Sequence, residues 1–271
     1  MLVTFSSRGP LRDHWYAVAR SDDVQPGPVA VELLREELVL WRGPSGRVIA
    51  APDRCSHRNS NLSPGPVENG CLICPHHGRA FGEDGRCVDI PRREAVDESA
   101  HLAPHRCEER HGLVWVCLGA PRTEIPVVAF SDDPTYHRAN PSPATWAAPT
   151  PRILEALLEQ GLTDGSGSDF DIPFTYRRSF PIRDGSKALL LVTCSPVGAG
   201  RSEVFTALWS NDTETSSEDL LETEIAALEA LKPAVEAISG TYEIDENAPN
   251  DGAGGGSTWR RAFLEALAEY T

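Results

Sequence analysis

Two short boxes constrain this chain more than any other feature: Cys55-Ser-His57-Arg58 and Cys74-Pro-His76-His77-Gly78, with residues 58–73 between His57 and Cys74. Each box offers one thiolate and one imidazole donor. Each also follows a segment that reads as a strand, which would hold its loop rigid. Two such loops facing one another present two thiolates and two imidazoles to a single site. One tetrahedral zinc ion accepts that set. A two-iron, two-sulfide cluster accepts it as well, with both Cys on one iron and both His on the other. Seven Cys is an odd number, and the N-terminal residues lack the apolar core of a secretory signal. The expectation is therefore a reducing cytoplasm, where clustered Cys and His point to metal rather than to disulfides.

The residues around the boxes carry further information. Arg58, Leu62 and Gly65 accompany the first, and Pro75, Gly78, Phe81, Gly85, Ile90 and Pro91 accompany the second. Upstream stand Trp15-Tyr-Ala-Val-Ala19 and Leu38-Val-Leu-Trp-Arg42. Over roughly residues 10–120 this pattern resembles the Rieske non-haem iron oxygenases. The resemblance implies a Rieske [2Fe-2S] cluster with Cys55 and Cys74 on one iron and His57 and His77 on the other. Zinc spacing alone would not require these flanks. The Rieske proteins of respiratory cytochrome complexes carry an extra Cys in each box; here the first box runs on to Ser60, and His76 stands between Cys74 and His77, so that branch is excluded. One departure from the oxygenase pattern is Arg79, which stands where the family usually has an aromatic residue.

The charge is unevenly divided. Residues 1–125 hold 15 basic and 17 acidic side chains (net -2), whereas 126–271 hold 10 and 23 (net -13), so two different modules are expected. In the first half, apolar runs at 37–42, 47–51, 71–74 and 111–118 alternate with turn signals, the pattern of a small antiparallel sandwich. The stretch 126–151 is Pro-rich and reads as a linker or extended crossover. Beyond it, 152–160 reads as a helix stopped by Gly161 and 164–168 as a flexible loop. Strands are expected at 174–180, 187–193 and 203–209, an amphipathic helix with an acidic first turn at 217–238, a Gly-rich mobile segment at 250–257 and a closing helix at 259–270. The fold class is thus α+β: an all-β Rieske domain over 1–125, the linker, and over 152–271 an antiparallel sheet with helices, which the resemblance makes a degenerate helix-grip domain.

In the oxygenases that C-terminal domain holds a mononuclear iron on two His and one carboxylate. The resemblance aligns Glu155 with the start of the ligand motif and Glu159 with its linking carboxylate. It places Leu162 and Gly167 at the two His positions, and Glu218 or Asp219 at the carboxylate ligand. The last His in the chain is His137, so no imidazole follows. The implied protein is an electron-transfer or auxiliary subunit without mononuclear iron. Its partners would be an oxygenase-like homologous subunit and an electron-donating reductase or ferredoxin, in a trimeric or hetero-oligomeric assembly. Two other readings stand beside this one. The first is an oxidoreductase acting on a small organic substrate through carboxylates such as Glu159, Asp164 and Asp219, or without such iron. The second is a non-catalytic redox sensor or binding protein.

A net charge of -15 argues against nucleic acid and anionic membranes as partners. The longest apolar runs, 113–118 and 188–192, fall far short of the roughly 20 residues a spanning helix needs. Cys71, Cys87, Cys107, Cys117 and Cys194 read as buried thiols. Trp15, Trp41 and Trp115 read as core. His14, His101, His105, His111 and His137 read as structural or surface groups, and His76 as a neighbour of the site.

Overall fold

The computed structural model describes residues 9–91, 100–163, 167–238, 242 and 255–268. Its first half consists of ten short strands: β1 (Tyr16–Arg20), β2 (Val29–Leu33), β3 (Glu36–Arg42), β4 (Val48–Pro52), β5 (Val67–Glu68), β6 (Cys71–Ile73), β7 (Ala80–Phe81), β8 (Cys87–Asp89), β9 (Arg106–Arg110) and β10 (Leu113–Cys117). The second half contains β11 (His137–Ala139), β12 (Ala144–Trp146), α1 (Thr150–Thr163), β13 (Gly167–Asp171), β14 (Thr175–Arg183), β15 (Ser186–Gly198), β16 (Arg201–Ser210), α2 (Ser217–Glu236) and α3 (Gly255–Ala268).

The α+β class expected from the sequence is the class observed. Three small antiparallel sheets build the first half, in the orders β1-β10-β9, β2-β3-β4 and β5-β6-β7-β8. One larger sheet, β11-β16-β15-β14-β13 with β12 also on β16, builds the second. The apolar runs at 37–42 and 47–51 form the hairpin of β3 and β4, paired from Leu38↔Pro52 to Arg42↔Val48. β10 is buried on both faces. Leu113, Trp115 and Cys117 face a small core with Trp15 and Phe205, while Val114 and Val116 face the main core.

The central strand β15 of the long sheet is buried on both faces by the same alternation. Ala188, Leu190, Val192 and Cys194 of β15 join the main core, which also holds Ile153, Leu154, Leu157 and Leu158 of α1 and Trp259 and Phe263 of α3. Leu189 and Leu191 point the other way, onto Val128, Phe130 and Tyr136. The Pro-rich stretch therefore blankets a sheet face, and it contains two strands, β11 and β12, that pair with β16. An irregular element was the expectation there; its prolines lie outside the two strands and leave their pairing intact.

Three further expectations need correction. Gly161 does not stop α1, which continues to Thr163. A helical Gly costs only about 1 kcal/mol relative to Ala, and the buried leucines of α1 hold the helix against that cost. The loop expected at 164–168 is partly strand, since Gly167 and Ser168 pair with Ser179 and Arg178. Of the Gly-rich segment at 250–257, residues 255–257 belong to α3 and the rest lie outside the described residues. No helix among the described residues is long and apolar enough to cross a membrane.

Candidate metal centre

The two boxes fold into nearly equivalent knuckles at one end of the first half. The first leaves β4 and the second leaves β6. In each, the Cys N–H donates to the carbonyl five residues on: Cys55 to Ser60 at 2.8 Å and Cys74 to Arg79 at 2.8 Å. In each, the Cys carbonyl accepts from the N–H four residues on: from Asn59 at 2.9 Å and from Gly78 at 2.9 Å. The residue at that fourth position is left-handed in both, Asn59 at φ 54° and Gly78 at φ 68°. Only Gly, and less readily Asn or Asp, takes that conformation at low cost. These two residues close each loop into a tight turn.

Close approach of the two loops is enforced by Gly65. A Cβ there would lie 1.9 Å from the Ile73 carbonyl, the residue just before Cys74. Asp53 supplies the other anchor. It is buried at 2% exposure, and its Oδ1 accepts from the N–H groups of Leu62 at 2.6 Å and Ser63 at 2.7 Å. Its Oδ2 accepts from the Ser63 hydroxyl at 2.6 Å and from Asn61 Nδ2 at 3.3 Å. An acceptor-only side chain two residues before Cys55 thus ties down the chain that follows the first knuckle.

Cys55 and Cys74 are buried, at 1% and 2% exposure, in a core with Trp41, Leu62, Leu72 and Phe81. His57 and His77 are exposed, with ring centroids 4.9 Å apart in a T-shaped arrangement. The thiols lie within hydrogen-bond reach of each other. Burial raises Cys55, and sharing with Cys74 raises it further. Burial also raises Cys74, but N–H groups of His76 and His77, the Ser60 hydroxyl and Cys55 outweigh it, so Cys74 is lowered. Ser60 Oγ sits 3.7 Å from Cys74 Sγ. The result is an inner pair of sulfur donors, with hydrogen-bond donors aimed at them, and an outer pair of imidazoles. The donors form two pairs, thiols within and imidazoles outside, the division a two-iron cluster needs.

The other Cys and His residues sit mostly as expected. Cys87, Cys117 and Cys194 are buried, Cys71 and Cys107 half-buried, and all are free thiols. Burial pushes Cys107 and Cys194 each up to about 12. His76 is exposed, its ring 6.1 Å from that of His77. His14 is buried beside Thr123. His111 is buried against the Pro126 carbonyl and the edge of Trp209.

In the second half, Glu155 on α1 receives Arg260 of α3 at 2.5 Å. Glu159, Glu218 and Asp219 are exposed. Leu162 belongs to α1 and Gly167 to β13, so the two positions matched to His lie on different elements. Asp164 lies outside the described residues. Between α1, α2 and the sheet, a cavity of about 60 Å³ is lined by Leu157, Gln160, Tyr176, Arg178, Leu190 and Glu224. Arg178 of β14 and Glu224 of α2 form an ion pair at its wall.

Comparison with known proteins matches residues 14–100 to the family model described as the Rieske [2Fe-2S] domain. A putative toluene-4-sulfonate monooxygenase system iron-sulfur subunit of Comamonas testosteroni is 35% identical over 116 residues, covering 43% of this chain and 34% of the relative. Methylxanthine N1-demethylase NdmA of Pseudomonas putida is 33% identical over 159 residues, covering 55% of this chain and 45% of that one. The chain thus spans between about a third and a half of these curated relatives. The structure of NdmB from Pseudomonas putida CBB5 superposes with a TM-score of 0.83 at 21% identity, covering 98% of both chains. Apo dicamba monooxygenase superposes with a TM-score of 0.76 at 19% identity, covering 96% of this chain and 98% of that one. The chain carries a Rieske domain and is homologous, through it, to oxygenase components of Rieske non-haem iron oxygenases. A domain of this kind implies a [2Fe-2S] cluster.

Proposed function

We propose that the chain is a Rieske redox subunit that accepts and passes on single electrons and has no mononuclear iron of its own. Cys55 and Cys74 hold the inner iron and His57 and His77 the outer one. The cluster supplies one-electron storage when bound. The chain's own residues do the rest. The buried thiolates and the donors around Cys74 stabilise negative charge. The exposed imidazoles bring the outer edge of the centre to the surface, where a partner can exchange electrons.

The observation that carries this reading is the contrast between the two halves. The donor set at the knuckles is complete, whereas Leu162 and Gly167 stand at the positions the resemblance matches to the family's iron-binding His, and no His follows His137 in the sequence. One further observation supports it: Glu159 and Asp219, two of the carboxylates that could serve such a site, are both exposed. A chain that stores electrons without a place to activate oxygen needs a recipient. The recipient proposed is an oxygenase-like homologue in a trimeric or hetero-oligomeric ring, with a reductase or ferredoxin as donor, in the cytoplasm. The acidic second module disfavours contact between like copies and favours a more basic homologue.

The test is a metal count on protein purified without oxygen. Two irons and two acid-labile sulfides per chain, with a rhombic EPR signal on reduction, are expected. A third iron per chain would overturn the absence of a mononuclear site, and one zinc without sulfide would overturn the cluster itself.

A further inference from the structure

Between the two halves of the chain runs a groove of about 300 Å³, walled by β1 and β2 and floored by the β15–β16 hairpin. Both walls are outer strands, β1 of the sheet β1-β10-β9 and β2 of the sheet β2-β3-β4. The β1 edge is in use at Ala17, whose carbonyl accepts the Ser195 hydroxyl at 2.5 Å. The β2 edge is open. Its hairpin turns on two left-handed residues, Leu34 at φ 52° and Arg35 at φ 65°, as type I′ turns do, so the flanking pair Leu33 and Glu36 exchanges both backbone hydrogen bonds. Bonded and non-bonded pairs then alternate along the ladder, which turns the N–H and C=O of Glu32 and Ala30 away from β3. Glu37, opposite Glu32, fixes the same phase: its carbonyl accepts the Asp53 N–H at 2.9 Å on the far side of β3. Among the described residues nothing pairs with the outward backbone groups of Ala30 and Glu32.

The side chains of the groove complement that edge. Val29, Val31 and Phe205 give it apolar surface. Its charges are matched except at one place. Asp23 holds Arg20 at 2.5 Å and Glu32 holds Arg201 at 2.6 Å. Half-buried Glu203 accepts the Thr145 hydroxyl at 2.8 Å and meets no cation among the described residues. We propose that the groove docks an extended, basic segment of a partner protein, which adds to β2 as a further strand. The backbone of that segment pairs with Ala30 and Glu32, its inward side chains alternate over Val29, Val31 and Phe205, and a Lys or Arg among them meets Glu203. Backbone pairing supplies affinity with little regard to sequence, and the unmatched carboxylate selects for positive charge. A small amine would satisfy Glu203 and leave the edge of β2 unpaired, so the strand is the occupant that uses every feature of the groove. The proposal is independent of what the knuckles hold.

The probe is a capped, fluorescein-labelled peptide, Thr-Val-Thr-Lys-Thr-Val-Thr, whose strand form puts Val, Lys and Val on one face. It is titrated with the full chain and followed by fluorescence anisotropy. Saturable binding is expected. Ala30→Pro removes an outward N–H and leaves the β2–β3 bonds intact, since proline is tolerated on the open side of an edge strand; it should weaken binding about tenfold. Glu203→Gln should weaken binding about threefold to fivefold, and a peptide with Glu in place of Lys should bind more weakly still. Glu229→Gln, which removes an exposed acid of α2 outside the groove, should change nothing. Two backbone-methylated peptides, one blocked at its Thr amides and the other at its Val and Lys amides, should bind unequally, because only one edge of the added strand faces β2. These peptides carry the comparison on the parent protein if Ala30→Pro does not fold. Absence of saturable binding overturns the proposal, as does binding indifferent both to Ala30→Pro and to methylation. Butylammonium that displaces the peptide at equal concentration points to a small-amine site and overturns strand addition. Equal binding of the Lys and Glu peptides overturns the choice of a basic partner.

Discussion

Asp53 offers the sharpest test of how the first knuckle is held. Asp53→Ala deletes one buried carboxylate and strands the donors it serves. The N–H groups of Leu62 and Ser63 and the Ser63 hydroxyl all approach within 2.7 Å. A hydrogen bond to a charged group contributes about 1.5–3 kcal/mol, and a buried donor left unpaired costs about 1–3 kcal/mol. The three donors share one partner and relax together, so their effects do not add fully. A loss of about 3–5 kcal/mol follows, a large part of the 5–15 kcal/mol that holds a typical domain together. Asp53→Asn keeps Oδ1 for the two backbone donors and costs less, about 1–3 kcal/mol, because an amide N–H then faces Asn61 and the Ser63 hydroxyl. The assay is guanidinium denaturation of cluster-loaded protein, monitored by far-UV circular dichroism and by bleaching of the cluster's visible absorbance. In the Ala variant the visible signal should vanish at lower denaturant than in the parent. An Ala variant within about 1 kcal/mol of the parent, with full cluster occupancy, would refute the role assigned to Asp53.

Other perturbations probe neighbouring features. Gly65→Ala sets a methyl against the Ile73 carbonyl and should sharply reduce the yield of cluster-loaded protein, read as sulfide per chain. Ser60→Ala removes the hydroxyl beside Cys74 and should lower the midpoint potential without loss of cluster, since hydrogen bonds to ligand sulfur favour the reduced form. His14 is held neutral in the fold because burial, with Arg122 adding to it against Asp13, takes it from 6.5 down to about 4. Its folded pKa is depressed, so the unfolded chain binds the extra proton first: the stability it contributes is complete above pH 6.5 and declines as pH falls toward 4. That decline is about 3 kcal/mol, and His14→Gln should flatten the melting-temperature profile in that window.

The two knuckles proposed to hold the cluster were legible in the sequence because their geometry is local. A thiolate and an imidazole two or three residues apart, bracketed by Gly and Pro, specify a knuckle almost unaided. The supports around it were less legible, since they join residues that sequence spacing does not connect. Asp53 meets its donors eight to ten residues later, and Gly65 is needed only because Ile73 passes over it. The same logic explains the errors in the second half. Gly161 and the prolines at 120–151 are turn signals by local propensity. Burial of the α1 leucines carries the helix through Gly161, and the second face of the long sheet turns the Pro-rich stretch into a cover for Leu189, Leu191 and Trp209. Tertiary packing overrode propensity at both places.

The acidity of the second module also takes on a different meaning in three dimensions. Several of its acids are spent within the fold: Glu155 on Arg260, Glu224 on Arg178, Asp212 on Arg183, and Asp169 and Asp171 on Arg177. The pairs of Glu224 and Glu155 lie where α2 and α3 meet the sheet and α1. Half-buried pairs of this kind fix which faces meet more than they add stability, because desolvation offsets much of their attraction. Glu218, Asp219 and Glu222, at the exposed start of α2, have no such partner among the described residues. Net charge alone would spread repulsion over the whole module. The fold instead neutralises these acids in ion pairs and leaves Glu218, Asp219 and Glu222 exposed at the start of α2.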